Sequence, residues 1–389
     1  MRSNPARVES MKTKCSVLAL TFLAALNCTA VYGDEFSQTN LVADTPAIAT
    51  ANNAKFVDPN LVDPWGMSFS ATSPIWVSDR ATGVSTVYNG AGVAAPIKVS
   101  VPPGAPAGPT GQVFAGGTNF SVTSNGQPAL FIFDTLGGTI DAWNGALGTT
   151  GTAAVEVTTP GAHYEGLALA NNTLYAANFV NGGTIDVFNS SYSKISTPGG
   201  FVDPTIPSGY APFNIQNING KLYVEYAKLN PNPNIPVPAS GNGGYVDVFD
   251  TNGNLLQHLI SNGNLDAPWG VALAPSTWGS FANDLLVGNF GNGEINAYNP
   301  TNGNWVGTLM LSNGMPFAEP GLWGIAFGNG ANASSTDSLY FAAGINGGDD
   351  GLFGHLDPVP EPASLLLLGL GIGALGLKRV ARREPLYHK

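Results

Sequence analysis

Ala267-Pro-Trp-Gly-Val-Ala-Leu273, Leu285-Leu-Val-Gly-Asn289 and Gly293-Glu-Ile-Asn-Ala-Tyr-Asn299 are three short apolar runs divided by Gly- and Asn-rich turns. Their length and their β-branched and aromatic content are those of strands. The set recurs at Asp63–Phe69, Pro74–Asp79 and Gly83–Asn89, and again at Tyr164–Leu169, Leu174–Asn178 and Gly183–Asn189. Another copy runs Ala211–Asn217, Leu222–Glu225 and Gly244–Asp250; a last runs Pro320–Phe327 and Leu339–Ala343, ending weakly near Gly351–Gly354. One more unit, second in chain order, keeps Leu130–Asp134 and Gly138–Asn144 but lacks the first run. The second-run anchors Trp76, Leu130, Leu174, Leu222, Leu285 and Leu339 stand 54, 44, 48, 63 and 54 residues apart. Leu255–Ile260 and Trp305–Met310 supply a fourth run. Four strands in each of six units of about 50 residues predict an all-β fold, a six-bladed β-propeller over residues 34–357. Leu41-Val-Ala43 is expected to complete the last blade, so that no open sheet edge is left.

The unit Pro-x-Gly-φ-x-φ, φ-Tyr/Trp-Val-x-Asp/Asn, Gly-x-φ-x-φ-Phe/Tyr-Asn/Asp, where φ is apolar, resembles the NHL repeat of propellers. The Arg of that family's third strand is replaced here by Thr139-Ile140, Thr184-Ile185 or Glu294-Ile295.

Both ends read as targeting segments. Val359-Pro360-Glu361-Pro362 precedes an apolar run, 363–377, which is followed by Lys378, Arg379, Arg382 and Arg383. The run has no polar face, unlike a surface helix, and its basic flank suits a cytoplasmic side. A box, an apolar transmembrane helix and a basic stop in that order resemble the PEP-CTERM sorting signal. The resemblance implies export, brief anchoring by the tail, and processing by an exosortase-type membrane enzyme. Asp63-Pro-Trp-Gly66, Pro109–Phe114 and Gly138-Thr-Ile140, taken with this tail, resemble an uncharacterised bacterial family of PEP-CTERM-bearing propellers. At the other end, Met11-Lys-Thr-Lys14, an apolar stretch from Cys15 to Ala30 and Val31-Tyr-Gly33 read as a signal peptide over 1–33, with Met11 an alternative start. Both cysteines, Cys15 and Cys28, lie within it. The mature chain is then expected to have no disulfide and no thiol nucleophile.

Between Asp34 and Pro362 there are 6 Lys/Arg against 24 Asp/Glu, a net of −18. Nucleic-acid binding needs clustered cations, so it is excluded. The balance suits cations, neutral sugars or basic partners.

In a propeller the starts of inner strands and the ends of second strands share one face. Asp63, Glu165, Asp266 and Glu319 stand at or before inner-strand starts, and Asp79, Asp134, Asn178 and Asn289 at second-strand ends. A ring of such oxygens at a channel mouth is what Ca²⁺ requires. The alternative is that these side chains satisfy turn backbone groups. His163, two residues before Glu165, makes a His–carboxylate pair with the chemistry of general acid–base work. His258 and His355 read as incidental. No nucleophile elbow, phosphate loop or His-x-x-x-His pair is present. These features favour an exported surface or matrix binding module with exopolysaccharide or envelope-protein partners. The alternative is a Ca²⁺-assisted hydrolase or lactonase.

Overall fold

The computed structural model describes residues 35–359, apart from 233–240 and 242. The signal segment, the 363–377 helix and the basic stop lie outside the described residues. Within them no helix is long and apolar enough to cross a membrane.

The chain forms six antiparallel blades. Blade 1 is Pro64–Ser68, Ile75–Asp79, Val84–Tyr88 and Ala94–Ser100. Blade 2 is Pro109–Phe114, Phe131–Thr135, Thr139–Trp143 and Ala154–Thr158, and blade 3 is Tyr164–Ala170, Thr173–Asn178, Ile185–Asn189 and Lys194–Ile195. Blade 4 is Tyr210–Ile218, Lys221–Lys228, Tyr245–Phe249 and Leu255–Ser261; blade 5 is Pro268–Leu273, Leu285–Asn289, Ile295–Tyr298 and Trp305–Thr308. Blade 6 takes Leu322–Phe327, Leu339–Ala343 and Leu352–Pro358, then Glu35–Ala43 from the start of the domain.

That last pairing closes the ring. Phe36 lies opposite Pro358 and Ala43 opposite Leu352. Phe36 is fully buried, its ring 4.6 Å from that of Trp278 and 6.1 Å from that of Phe281. Phe36→Ala should therefore cost about 3–5 kcal/mol. Guanidinium unfolding would show it, and an unchanged midpoint would mean that this strand does not hold the ring shut.

Blade 2 departs from the sequence expectation. Its inner strand is present, as Pro109–Phe114 pairing with Phe131–Thr135. Thr110 replaces the aromatic or acidic residue found elsewhere, and a small hairpin, Ser121–Val122 with Gln127–Pro128, follows the strand and obscures the spacing.

The inner strands approach closely because one position in each is nearly free of side chain. Gly66, Gly111, Gly166, Gly270 and Gly324 occupy it in five blades and Asn214 in the sixth. A Cβ on Gly66 would lie 2.5 Å from Thr110 O in the next blade, and one on Gly270 2.5 Å from Trp323 O. In blade 4 the Asn214 amide spans the gap and donates to Trp269 O at 2.6 Å.

Candidate functional site

The residue before each of these positions is Trp65, Thr110, Glu165, Phe213, Trp269 or Trp323, and the four aromatic ones cluster together. Trp65 and Trp323 stack with centroids 3.4 Å apart, and Trp269 meets them edge-on at 6.3 and 5.8 Å. Phe213 sits 5.6 Å from Trp323. Leu136, Phe179 and Phe290, each just past a second strand, and Ala227, near the end of another, pack with this group. The end of the channel where inner strands begin is thus filled by aromatic rings, whose burial is strongly favourable.

Within this plug the predicted carboxylates separate. Asp63 is ion-paired with Arg80 and accepts from Trp323 Nε1 at 3.2 Å. Asp266 accepts from Gly241 N. Glu319 accepts from Gln38 Nε2 of the closing strand at 2.6 Å. Glu165 is fully buried and, among the described residues, neither of its oxygens has a hydrogen-bond partner. Burial pushes its pKa well above the usual range; Asp134 adds to the shift and Arg80 partly offsets it. Among the described residues, no three of these four carboxylates converge on one ion-sized space. His163 and Glu165 do not pair either. The His163 backbone N–H donates to Asn178 Oδ1 at 3.1 Å, and both Glu165 oxygens are left over.

The second-strand termini bond within their own blades or to the connectors that lead into them. Asp79 accepts from Thr86 Oγ1 at 2.7 Å, and Asn289 donates to Asn264 O at 2.8 Å. Asp134 stands one register position away from the others, because Thr135 faces Pro109 as Asp79 faces Pro64. It accepts instead from Gly111 N at 2.6 Å, inside the blade contact, and burial raises its pKa to about 7.

The other end of the axis is open. A cavity of about 40 Å³ beneath the plug, lined by Gly66, Gly111, Gly270 and Gly324 among others, leads toward a funnel of about 340 Å³. Phe69, Phe114, Leu169, Gln112, Gln216 and Asn217 line the funnel, and among the described residues no charged one does. Gln112 is spent on structure, donating to Gly66 O and Trp76 O, both at 2.8 Å. Gln216 is exposed.

Sequence reasoning missed one cluster. His258 Nδ1 lies 2.7 Å from Asp203 Oδ2 and 2.8 Å from Asp247 Oδ1. Asp247 belongs to a recurring third-strand position, with Asp141, Asp186 and Asn296, and His258 is its cross-strand partner. That much was available in the repeat. The arrival of Asp203 from the connector between blades 3 and 4 was not.

Residues 358–383 match the PEP-CTERM protein-sorting motif, a signal of exported proteins. Among solved structures the chain is similar to a streptogramin B lyase, with 14% identity, a TM-score of 0.45 and 83% of this chain and 97% of that one covered. It is also similar to a Bacteroides thetaiotaomicron protein of unknown function, with 10% identity, a TM-score of 0.49 and 83% and 77% covered. Likenesses at that level say nothing of chemistry. By sequence it is similar to uncharacterized proteins of Acanthamoeba polyphaga mimivirus. L690 is 32% identical over 315 residues, covering 78% of this chain and 82% of the relative, and R648 is 32% identical over 317, covering 78% and 77%. With that identity over most of both sequences, the chain belongs to the family of the mimivirus proteins L690 and R648.

Proposed function

We propose that this chain is an exported propeller that binds a neutral polymer of the cell surface or matrix, polysaccharide first, at the open end of its axial channel. The observation that carries this reading is the uncharged funnel in a domain with a net of −18. Phe69 and Phe114 offer flat apolar contact and Gln216 an amide that can both donate and accept, the combination that suits a sugar. The surrounding negative charge repels anionic polymers. The filled opposite end argues against a Ca²⁺-assisted hydrolase at that mouth, because rings occupy the place where ion and substrate would sit. The PEP-CTERM tail supports display at the envelope after exosortase-type processing; envelope proteins are the second class of partner.

Gln216→Ala should weaken retention on a neutral polysaccharide about tenfold, a loss near 1.4 kcal/mol. Affinity electrophoresis in dextran and in alginate reads this directly. Equal retardation of wild type and variant in dextran, or stronger retardation in alginate, would count against the funnel.

A further inference from the structure

Two buried carboxylates face one imidazole nitrogen on the flank of blade 4. A single Nδ1 carries at most one hydrogen, so it cannot serve both Asp203 and Asp247 fully. Among the described residues their ion pairs are with His258 alone, and no Lys or Arg relieves them. In blade 3 the corresponding Asp186 has Lys194 Nζ and Tyr164 Oη, each at 2.8 Å, and in blade 5 the position is the uncharged Asn296. Blade 4 alone, among the described residues, gathers three such ligands within 4.8 Å of one another.

A second observation points to a ligand. Among the described residues the buried Tyr226 hydroxyl has no hydrogen-bond partner, and neither has Asp247 Oδ2. Tyr226 stands opposite Tyr245, two positions along from the Val224–Asp247 pair, so it shares the face of the sheet that carries Asp247 and His258. An extra residue, Leu259, bulges the outer strand. The bulge keeps His258 and Ser261 on that one face. His258 Nε2 is 2.6 Å from Ser261 Oγ. If Nε2 carries the hydrogen and donates to Ser261, the Nδ1 lone pair is turned toward the two carboxylates. His258 is part-exposed, which leaves an entrance.

We propose that Asp203, Asp247 and His258 form a divalent transition-metal site of the Zn²⁺ class. One imidazole nitrogen and two carboxylate oxygens suit zinc, with a fourth position for water, whereas calcium wants six to eight oxygens. The cation neutralises both carboxylates, and the Tyr226 hydroxyl becomes a partner for metal-bound water.

The test is calorimetric titration of the chelator-treated full mature chain with Zn²⁺ alone, with circular dichroism confirming the fold of each variant. Wild type should take one equivalent, and Zn²⁺ should raise Tm by mass action. His258→Ala and the gentler Asp203→Asn should each weaken binding about 100-fold, and Ser261→Ala about tenfold. His163→Ala should change nothing. Absence of saturable binding by folded wild type, or undiminished binding in folded Asp203→Asn, would overturn the assignment. So would labelling of Ser261 by a fluorophosphonate probe that is lost in His258→Ala, since His258 would then hold its hydrogen on Nδ1 and act as a base.

Discussion

Melting temperature should rise, not fall, as the pH is taken from 8 to 5. The cause is a set of buried carboxyl groups that, among the described residues, form no ion pair. Asp79, Asp134, Asp141, Glu165 and Glu225 are each buried, and burial raises every one of their pKa values, to about 7 for Asp134 and about 8 for Asp141. Nearby carboxylates add to the effect and hydrogen bonds partly offset it. Asp134 raises Glu165, Glu156 raises Asp141, and Asp58 and Asp63 raise Asp79, while donors at Thr86, Thr110, Gly111 and Thr139 and the cation Arg80 work the other way. Each group binds its proton more tightly folded than unfolded. The stability it contributes is therefore fully present below its unfolded pKa and is lost as pH rises through the folded value. That places the loss between about pH 4 and pH 8. Protonation also relieves the self-repulsion of a strongly negative domain. Asp203, Asp250 and Asp357 have lowered pKa values and work in the opposite sense, removing stability only below about pH 4. The expected difference in Tm is on the order of 10 °C. Glu165→Gln removes one ionisation at little change of shape, so it should melt above wild type at pH 8 and close to it at pH 5. A wild-type optimum near pH 8, or a Glu165→Gln curve parallel to wild type, would show that these groups ionise without cost.

Gly111→Ala should be among the most damaging single changes, at about 3 kcal/mol or more. A Cβ there would lie 2.3 Å from Leu167 N and 2.8 Å from Gly166 C, both backbone atoms of the next blade, and 2.8 Å from Asp134 Oδ1. The two backbone atoms cannot rotate away, so the inner strands of blades 2 and 3 would have to part, and the parting would propagate to the ring. Gly145→Ala is the control, since nothing lies within 4 Å of its added Cβ. The urea midpoint of Gly111→Ala should fall well below that of Gly145→Ala; near-equal midpoints would mean that the strand contacts are slack.

The architecture was legible because a propeller repeats its turn chemistry. Pro-Trp-Gly at 64–66 and 268–270 marks both the axis-facing ring and the glycine that lets strands approach. Blade 2 hid its inner strand because Thr110 stands where the others carry an aromatic or acidic residue, a small change in composition with no change in pairing. The site was less legible. The repeat shows that Trp65, Glu165, Trp269 and Trp323 share a ring position, but not that their side chains fill the axis. That depends on how three indoles pack across it, a matter of three-dimensional volume. Of the two readings of the oxygen ring, the ion takes no account of the rings that share its mouth, and the open end was passed over because Phe69 and Gln216 stand near the ends of their runs, at positions where the repeat carries no common residue. His258 read as incidental because its second carboxylate, Asp203, comes from a connector about 50 residues earlier, whose path no periodicity describes.

Equilibrium binding of the purified mature chain to a neutral polysaccharide is the measurement on which the proposed function rests most directly. Wild type should bind dextran in preference to alginate, Gln216→Ala should lose about tenfold, and Glu165→Gln, at the plugged end, should bind as wild type does. Binding indifferent to Gln216, or lost in a folded Glu165→Gln variant, would contradict it.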